Sequence, residues 1–152
     1  MKEYWNNRFI NGEKIWGSYP SKTAVKADEF FSKENINTLL VPGSGYGRNS
    51  EYFAKKGYKT TGLEIAKEAI NFIPLDKKGS YYQGDVLDMS VLGDQLFDAI
   101  YSFNVFHLFR RQERELFIKE CLNHLHHRDS TSCHYPGSLH MESGGPYRCK
   151  HR

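Results

Sequence analysis

The chain is poor in the residues that mark several common function classes. Its 152 residues include only five prolines and three cysteines, Cys121, Cys133 and Cys149, all near the end. An odd cysteine count with no Cys-x-x-Cys spacing is no disulfide framework and matches no standard zinc pattern. No apolar run approaches a bilayer span, and the start, Met-Lys-Glu-Tyr-Trp, is no signal peptide, so a cytoplasmic protein without membrane contact is expected. The net charge is a mild +3 and the lysines are scattered, so no basic stripe points to nucleic acid. No Gly-Lys-Ser/Thr follows the glycine-rich stretch, which excludes a P-loop. No catalytic triad or metal cluster can be picked out, so the catalytic residue stays unknown and no metal is expected. The length suits one domain.

Hydrophobic residues make up 39% of the chain and aromatics 14%, enough for a core. The informative stretch is Asn37–Asn49. Its apolar run Leu39–Val41 leads into Gly43-Ser44-Gly45-Tyr46-Gly47 and then a helical pattern. Strand, tight loop and helix form the first unit of a nucleotide-binding sheet. Gly43, Gly45 and Gly47 let the backbone take positive φ and approach a ligand closely. Amides at the helix start then face an anionic group. Glu64 ends a second strand, Tyr58–Leu63, where a carboxylate, with Ile65 beside it, can take the two hydroxyls of a ribose. The plain alternative is an αβ turn with structural glycines.

The rest of the chain alternates in the same way. Ser21–Ser32 is expected to be a helix capped by Ser21, with Ala24, Val25, Ala27, Phe30 and Phe31 as its apolar stripe. Arg48–Lys56 is a helix stopped by Gly57. Ala66, Ala69, Ile70 and Ile73 predict a helix up to Pro74. Ser80–Gln83 is strand three and Phe97–Phe103 strand four, apolar enough for burial on both faces. Arg111–Leu125 is a helix. This alternation predicts a parallel sheet with right-handed crossovers. Asp85 after strand three can accept from an adenine amine with Val86 against the base, while Asp88 is a cap or surface acid. Backbone at Ser102 and Phe103 lies at the carboxyl end of strand four, where ligands in such sheets sit. His107 is a conceivable base, but a histidine starting a helix is more often structural. At the N-terminus, Trp5 and Phe9 either cap the core at i,i+4 spacing, or the segment forms a lid with Trp16 on the ligand.

The dinucleotide fingerprint Gly-x-Gly-x-x-Gly would need glycine where Arg48 stands; the chain has Gly-x-Gly-x-Gly. With Leu-Val-Pro-Gly-Ser-Gly-Tyr-Gly followed by Gly-Tyr-Lys-Thr-Thr-Gly-Leu-Glu-Ile-Ala-Lys-Glu-Ala-Ile, it resembles class I S-adenosylmethionine (SAM)-dependent methyltransferases. The thiopurine/thiol and tellurite-resistance groups are the most similar. Val41-Pro42-Gly43 is similar to the first group and Gly47-Arg48-Asn49 to the second. The N-terminal Trp-x-x-Arg-Phe-x-x-Gly-x-x-x-Trp also resembles the thiopurine/thiol group, whose equivalent segment covers the SAM site. Val41 stands where most class I enzymes carry an acid, as in the Val-Pro variant of the thiol group. The resemblance covers Tyr4–Leu125 and implies an α/β, Rossmann-like parallel sheet of the class I methyltransferase type, missing its C-terminal strands. It implies SAM as cofactor, held by Trp16, Gly43, Ser44, Gly45, Arg48, Glu64, Ile65, Asp85, Val86, Ser102 and Phe103. Arg48 or the amides around Gly45 would hold the methionine carboxylate. The acceptor would be a small molecule such as a thiol, halide or metalloid. The alternatives are a SAM-binding remnant without activity and an NAD- or nucleotide-binding protein.

Residues 126–152 change character. They contain no Val, Ile, Phe or Ala and are rich in His, Ser and Arg. They read as a disordered tail after a domain at 1–125, or as a zinc site of Cys133, His134, Cys149 and His151. A frameshift or truncation at the point where a fifth strand is due is the further expectation. The outer edge of strand four would then be open, and two copies could pair there as a homodimer.

Overall fold

The computed structural model describes residues 1–12 and 14–126. Readings that fall on residues 127–152 lie outside the described residues, including the disorder, the zinc set and the frameshift.

Helix α1 spans Lys2–Gly12 and α2 spans Lys22–Phe31. As expected, Ser21 caps α2, its Oγ accepting from Ala24 N at 3.1 Å. Of the predicted stripe, Ala24 and Phe31 are buried, whereas Val25 is exposed. Strand β1 (Thr38–Pro42) leads to α3 (Arg48–Lys55), which ends one residue earlier than the pattern suggests and is turned by Gly57 at φ +104°. Strand β2 covers Lys59–Glu64 and β3 covers Ser80–Gln83. The helix between them, α4, is only Lys67–Asn71, although Ala66, Ala69 and Ile73 are buried as its pattern requires. Strand β4 is Ala99–Ile100 and the final helix, α5, is Arg111–Asn123.

The four strands lie in the order β3-β2-β1-β4, and every pair is parallel. Leu39 and Val41 face Ala24, Phe31, Phe53 and Tyr101, while Leu40 and Leu63 face Met89, Leu92, Phe109 and Phe117. Alternate residues of β1 thus feed two cores, because successive strand side chains point to opposite faces. A third cluster, of Phe9, Tyr46, Ala66 and Ala69, joins α1 and α4 to the glycine loop.

β4 is shorter than its apolar run predicts, for reasons that lie elsewhere in the chain. At Asp98 the backbone N donates to Thr38 O at 3.0 Å while the carboxylate accepts from Asn37 N and Thr38 N at 2.8 and 2.9 Å, so side chain and backbone share the pairing there. The expectation of no later partner for this strand needs correcting at its start. Phe97 N donates to His124 O at 2.8 Å and His126 N donates to Phe97 O at 3.0 Å, placing Leu125 parallel to Phe97.

Candidate functional site

The strand order reverses between β1 and β4. Connections leave β1 and β4 toward opposite sides of the sheet, and a crevice opens beyond their carboxyl ends. The loop after β1 and the loop after β4 meet there. Gly43 has φ +68°, and a Cβ on it would strike Val105 Cγ2. Gly47 has φ +83°, and a Cβ on it would lie 2.8 Å from Tyr81 Oη, so the first and last of the three glycines are demanded by space as well as by backbone angle.

The crevice is walled by ten of the eleven predicted residues: Trp16, Gly43, Ser44, Gly45, Arg48, Glu64, Ile65, Asp85, Val86 and Phe103. Ser102 is the exception. It lies outside the wall, exposed, with its Oγ 3.5 Å from Pro42 O, because the chain leaves the ladder after Ile100. His107 is also outside, exposed on the 3-10 turn Phe106–Leu108. Asp88 caps the 3-10 turn Ser90–Leu92, its Oδ1 accepting from Ser90 N at 3.1 Å.

Glu64 is the best-placed acid in the crevice. It is 6% exposed, with Oε2 accepting from Gly45 N at 2.8 Å and Oε1 from Ala66 N at 2.9 Å. Burial pushes its carboxyl above the ordinary 4.5, and the amides of Ala66, Gly45 and Ile65 pull it part of the way back. Each oxygen retains a second lone pair for a ligand hydroxyl. The Gly45 amide, expected to face a ligand carboxylate, is thus committed to Glu64. Arg48 Nη1 donates to Trp16 O and, more weakly at 3.4 Å, to Tyr19 O, so that donor too holds protein rather than open crevice. Asp85 Oδ1 accepts from Leu87 N at 2.9 Å. Ser44 Oγ is fully buried against Gly62 of β2 without a hydrogen-bond partner, and so is not open to the crevice.

Residues outside the eleven named from the sequence complete the wall: Met1, Trp5, Phe9, Tyr46, Asn49, Asn104, Val105, Leu108 and Phe109. Tyr46 lay inside the glycine motif and could have been named from it. Asn104 carried a weaker sign, since it takes φ +58°, a conformation Asn accepts better than most residues. Trp5, which the i,i+4 spacing offered as a core cap with Phe9, packs on Phe9 at 6.2 Å and also lines the crevice.

The methyltransferase domain family matches residues 40–128, more than half of the chain. The chain belongs to that family. No curated protein sequence matches it. Among solved structures, this methyltransferase domain is similar to that described for the conversion of a disulfide bond into a thioacetal group during echinomycin biosynthesis. That likeness has TM-score 0.71 and 19% identity over 82% of this chain and 56% of the other. Magnesium protoporphyrin IX methyltransferase from Synechocystis PCC 6803, with bound SAM, gives TM-score 0.67 and 13% identity over 82% and 69% of the two chains. TehB from Haemophilus influenzae gives TM-score 0.61 and 22% identity over 80% and 42%. The fold is therefore that of the class I methyltransferases, and the chain spans about half the length of the first and last of these relatives.

Proposed function

We propose that the crevice binds SAM and that the domain transfers its methyl group to a small acceptor. The observation that carries this is the buried Glu64 carboxylate at the end of β2, bonded to the glycine loop that follows the neighbouring strand β1. Glu64 suits the ribose hydroxyls, Asp85 with Val86 the adenine, and Ser44, Gly43 and Gly45 the turn against which the ligand lies. Ile65 continues the ribose wall. Trp16, Phe103 and the backbone near Ser102 face the methionine end, and Arg48 stands beside it at the start of α3. The fit rests on the lone pairs left at the two Glu64 oxygens.

Bound there, SAM would supply a methyl group on a cationic sulfonium. The chain's share is to hold and align. Among the described residues, each ionisable side chain of the crevice already has a backbone partner: Glu64, Asp85, Tyr46 and Arg48. Glu64 and Asp85 are assigned to the cofactor and Arg48 has no lone pair to take a proton, so an acceptor that arrives already nucleophilic fits best, such as a thiolate, a halide or a metalloid anion. The aromatic wall of Trp5, Phe9, Trp16 and Phe103 suits a soft, polarisable partner. No helix among the described residues is long and apolar enough to cross a membrane. A two-fold homodimer through the β4 edge is a further part of the proposal; the pairing seen on that edge is at Phe97.

A thermal-shift panel with SAM, S-adenosylhomocysteine, NAD and ATP tests the cofactor. A ligand that binds only the native state raises its melting temperature by mass action. SAM and its demethylated product are expected to do so. A flat response to both with a rise for NAD would replace this reading with a dinucleotide one.

A further inference from the structure

Residues 14–20 join α1 to α2 and run along the crevice with Trp16 in its wall. Most of this strap is exposed, and Tyr19 is 86% so. Its packing is confined to the Trp16 ring, which meets Trp5, Phe9 and Tyr46, and its backbone position depends on a few specific bonds. Those bonds come from consecutive ground, residues 46–49, at the end of the glycine loop and the start of α3. The Tyr46 hydroxyl accepts from Trp16 N at 3.0 Å and donates to Gly17 O at 2.7 Å. Arg48 Nη1 donates to Trp16 O at 2.6 Å. Asn49 Oδ1 accepts from Ser21 N at 2.8 Å, where the strap enters α2. The Trp16 ring stacks on Tyr46, with centroids 6.2 Å apart and planes 21° apart. Gly17, at φ +73° in a turn closed by Gly17 N to Lys14 O at 2.9 Å, makes the double hold by one hydroxyl possible.

We infer that Tyr46 and Arg48 are positioning residues that latch this strap across the bound cofactor and set the rate at which it exchanges. The inference rests on the crevice being the SAM site. Burial raises the Tyr46 phenol above its ordinary value, so the hydroxyl keeps the proton it donates to Gly17 O. Arg48 acts on the ligand through the strap, its Nη1 donating to Trp16 O and, at 3.4 Å, to Tyr19 O. Exposed segments held by few buried contacts open locally far below the global unfolding free energy, so the latch bonds together with the Trp16 ring contacts govern opening here. A gate that must open for both arrival and departure slows both rates together and leaves their ratio nearly unchanged.

The chain's only two tryptophans, Trp5 and Trp16, both face the crevice, so stopped-flow tryptophan fluorescence with SAM reads the gate directly. Arg48→Met, which removes one strong strap bond, should speed association and dissociation by about tenfold, Tyr46→Phe, which removes two, by about tenfold or more, and each should move Kd by less than about threefold. Arg48→Lys should fall between, since an ammonium can still reach one strap carbonyl. Arg48 is only half-buried, so its variants keep the test alive if Tyr46→Phe fails to fold. Faster dissociation with unchanged association would make Arg48 a direct ligand contact and overturn the latch. Unchanged rates in both variants would do the same. A wild-type protein that gives no signal and no melting shift with SAM would instead remove the cofactor reading itself.

Discussion

Replacing Glu64 with glutamine removes a charge while keeping the shape, and its cost can be worked from the geometry. Both carboxylate oxygens accept a backbone amide, from Gly45 N at 2.8 Å and Ala66 N at 2.9 Å. A glutamine side chain has one oxygen, so one of these amides would meet an NH2 group instead. Leaving a buried donor unsatisfied costs about 1–3 kcal/mol. Against this, the variant no longer buries a charge. The wild-type carboxyl titrates above its unfolded value of 4.5 because of burial. Its folded form holds the proton more tightly, so its contribution to stability is fully present below about pH 4.5 and is lost as pH rises through the raised folded value. The variant lacks that loss. The stability gap between wild type and Glu64→Gln should therefore narrow as pH rises from acid toward neutral.

Ligand binding has the opposite pH sign. Ribose hydroxyls donate to the ionised carboxylate, so wild-type affinity for SAM should climb over the same window. Two charge-assisted bonds at about 1.5–3 kcal/mol each put the variant's loss at roughly a hundredfold or more at neutral pH. Titration calorimetry at several pH values, beside urea unfolding, measures both. Equal SAM affinity for the two proteins at neutral pH would refute the assignment of Glu64 to the ribose.

Asp85→Ala should weaken SAM by less than Glu64→Ala, since one bond to an adenine amine is at stake; a larger loss in the same titration would reverse the two assignments. Gly43→Ala combines φ +68° with a collision at Val105, so it should lower the melting temperature and abolish the SAM-induced shift together. A fully retained shift would show that the loop can rearrange at no cost. Asp98→Ala strips the acceptor from Asn37 N and Thr38 N, at 2.8 and 2.9 Å, and should cost about 1–3 kcal/mol in urea unfolding while SAM binding to the surviving fold stays close to wild type.

The parts of this fold that could be read in advance are those decided by neighbours in the chain. Ser21 caps α2 through an amide three residues on, and Gly57 ends α3 by its own backbone angle. Ser80–Gln83 is a strand in both readings. The glycine loop was recognisable because close approach and positive φ leave few other residues eligible, and Glu64 followed from its place at the end of the next strand. β4 was not legible at its true length: an Asp98 carboxylate reaching Asn37 and Thr38, about sixty residues away in the chain, shares the pairing with the backbone at its start. Nor was the covering of its first residue by Leu125, a pairing that depends on where α5 delivers the chain.

The sequence by itself determined the order of strands and helices, the turn that brings backbone close to a ligand, and the acid at the end of β2. These follow from local sterics, hydrogen-bond capacity and side-chain period. Only the tertiary structure decided what those residues face. It turned the Gly45 amide onto Glu64 and Arg48 onto the Trp16 carbonyl, where spacing alone had offered both to the ligand. It also brought Trp5, Phe9, Trp16 and Tyr46 into one aromatic wall. Residues so far apart in the chain meet there because the reversal of strand order opens a crevice that α1, the strap and the glycine loop must close by packing on one another.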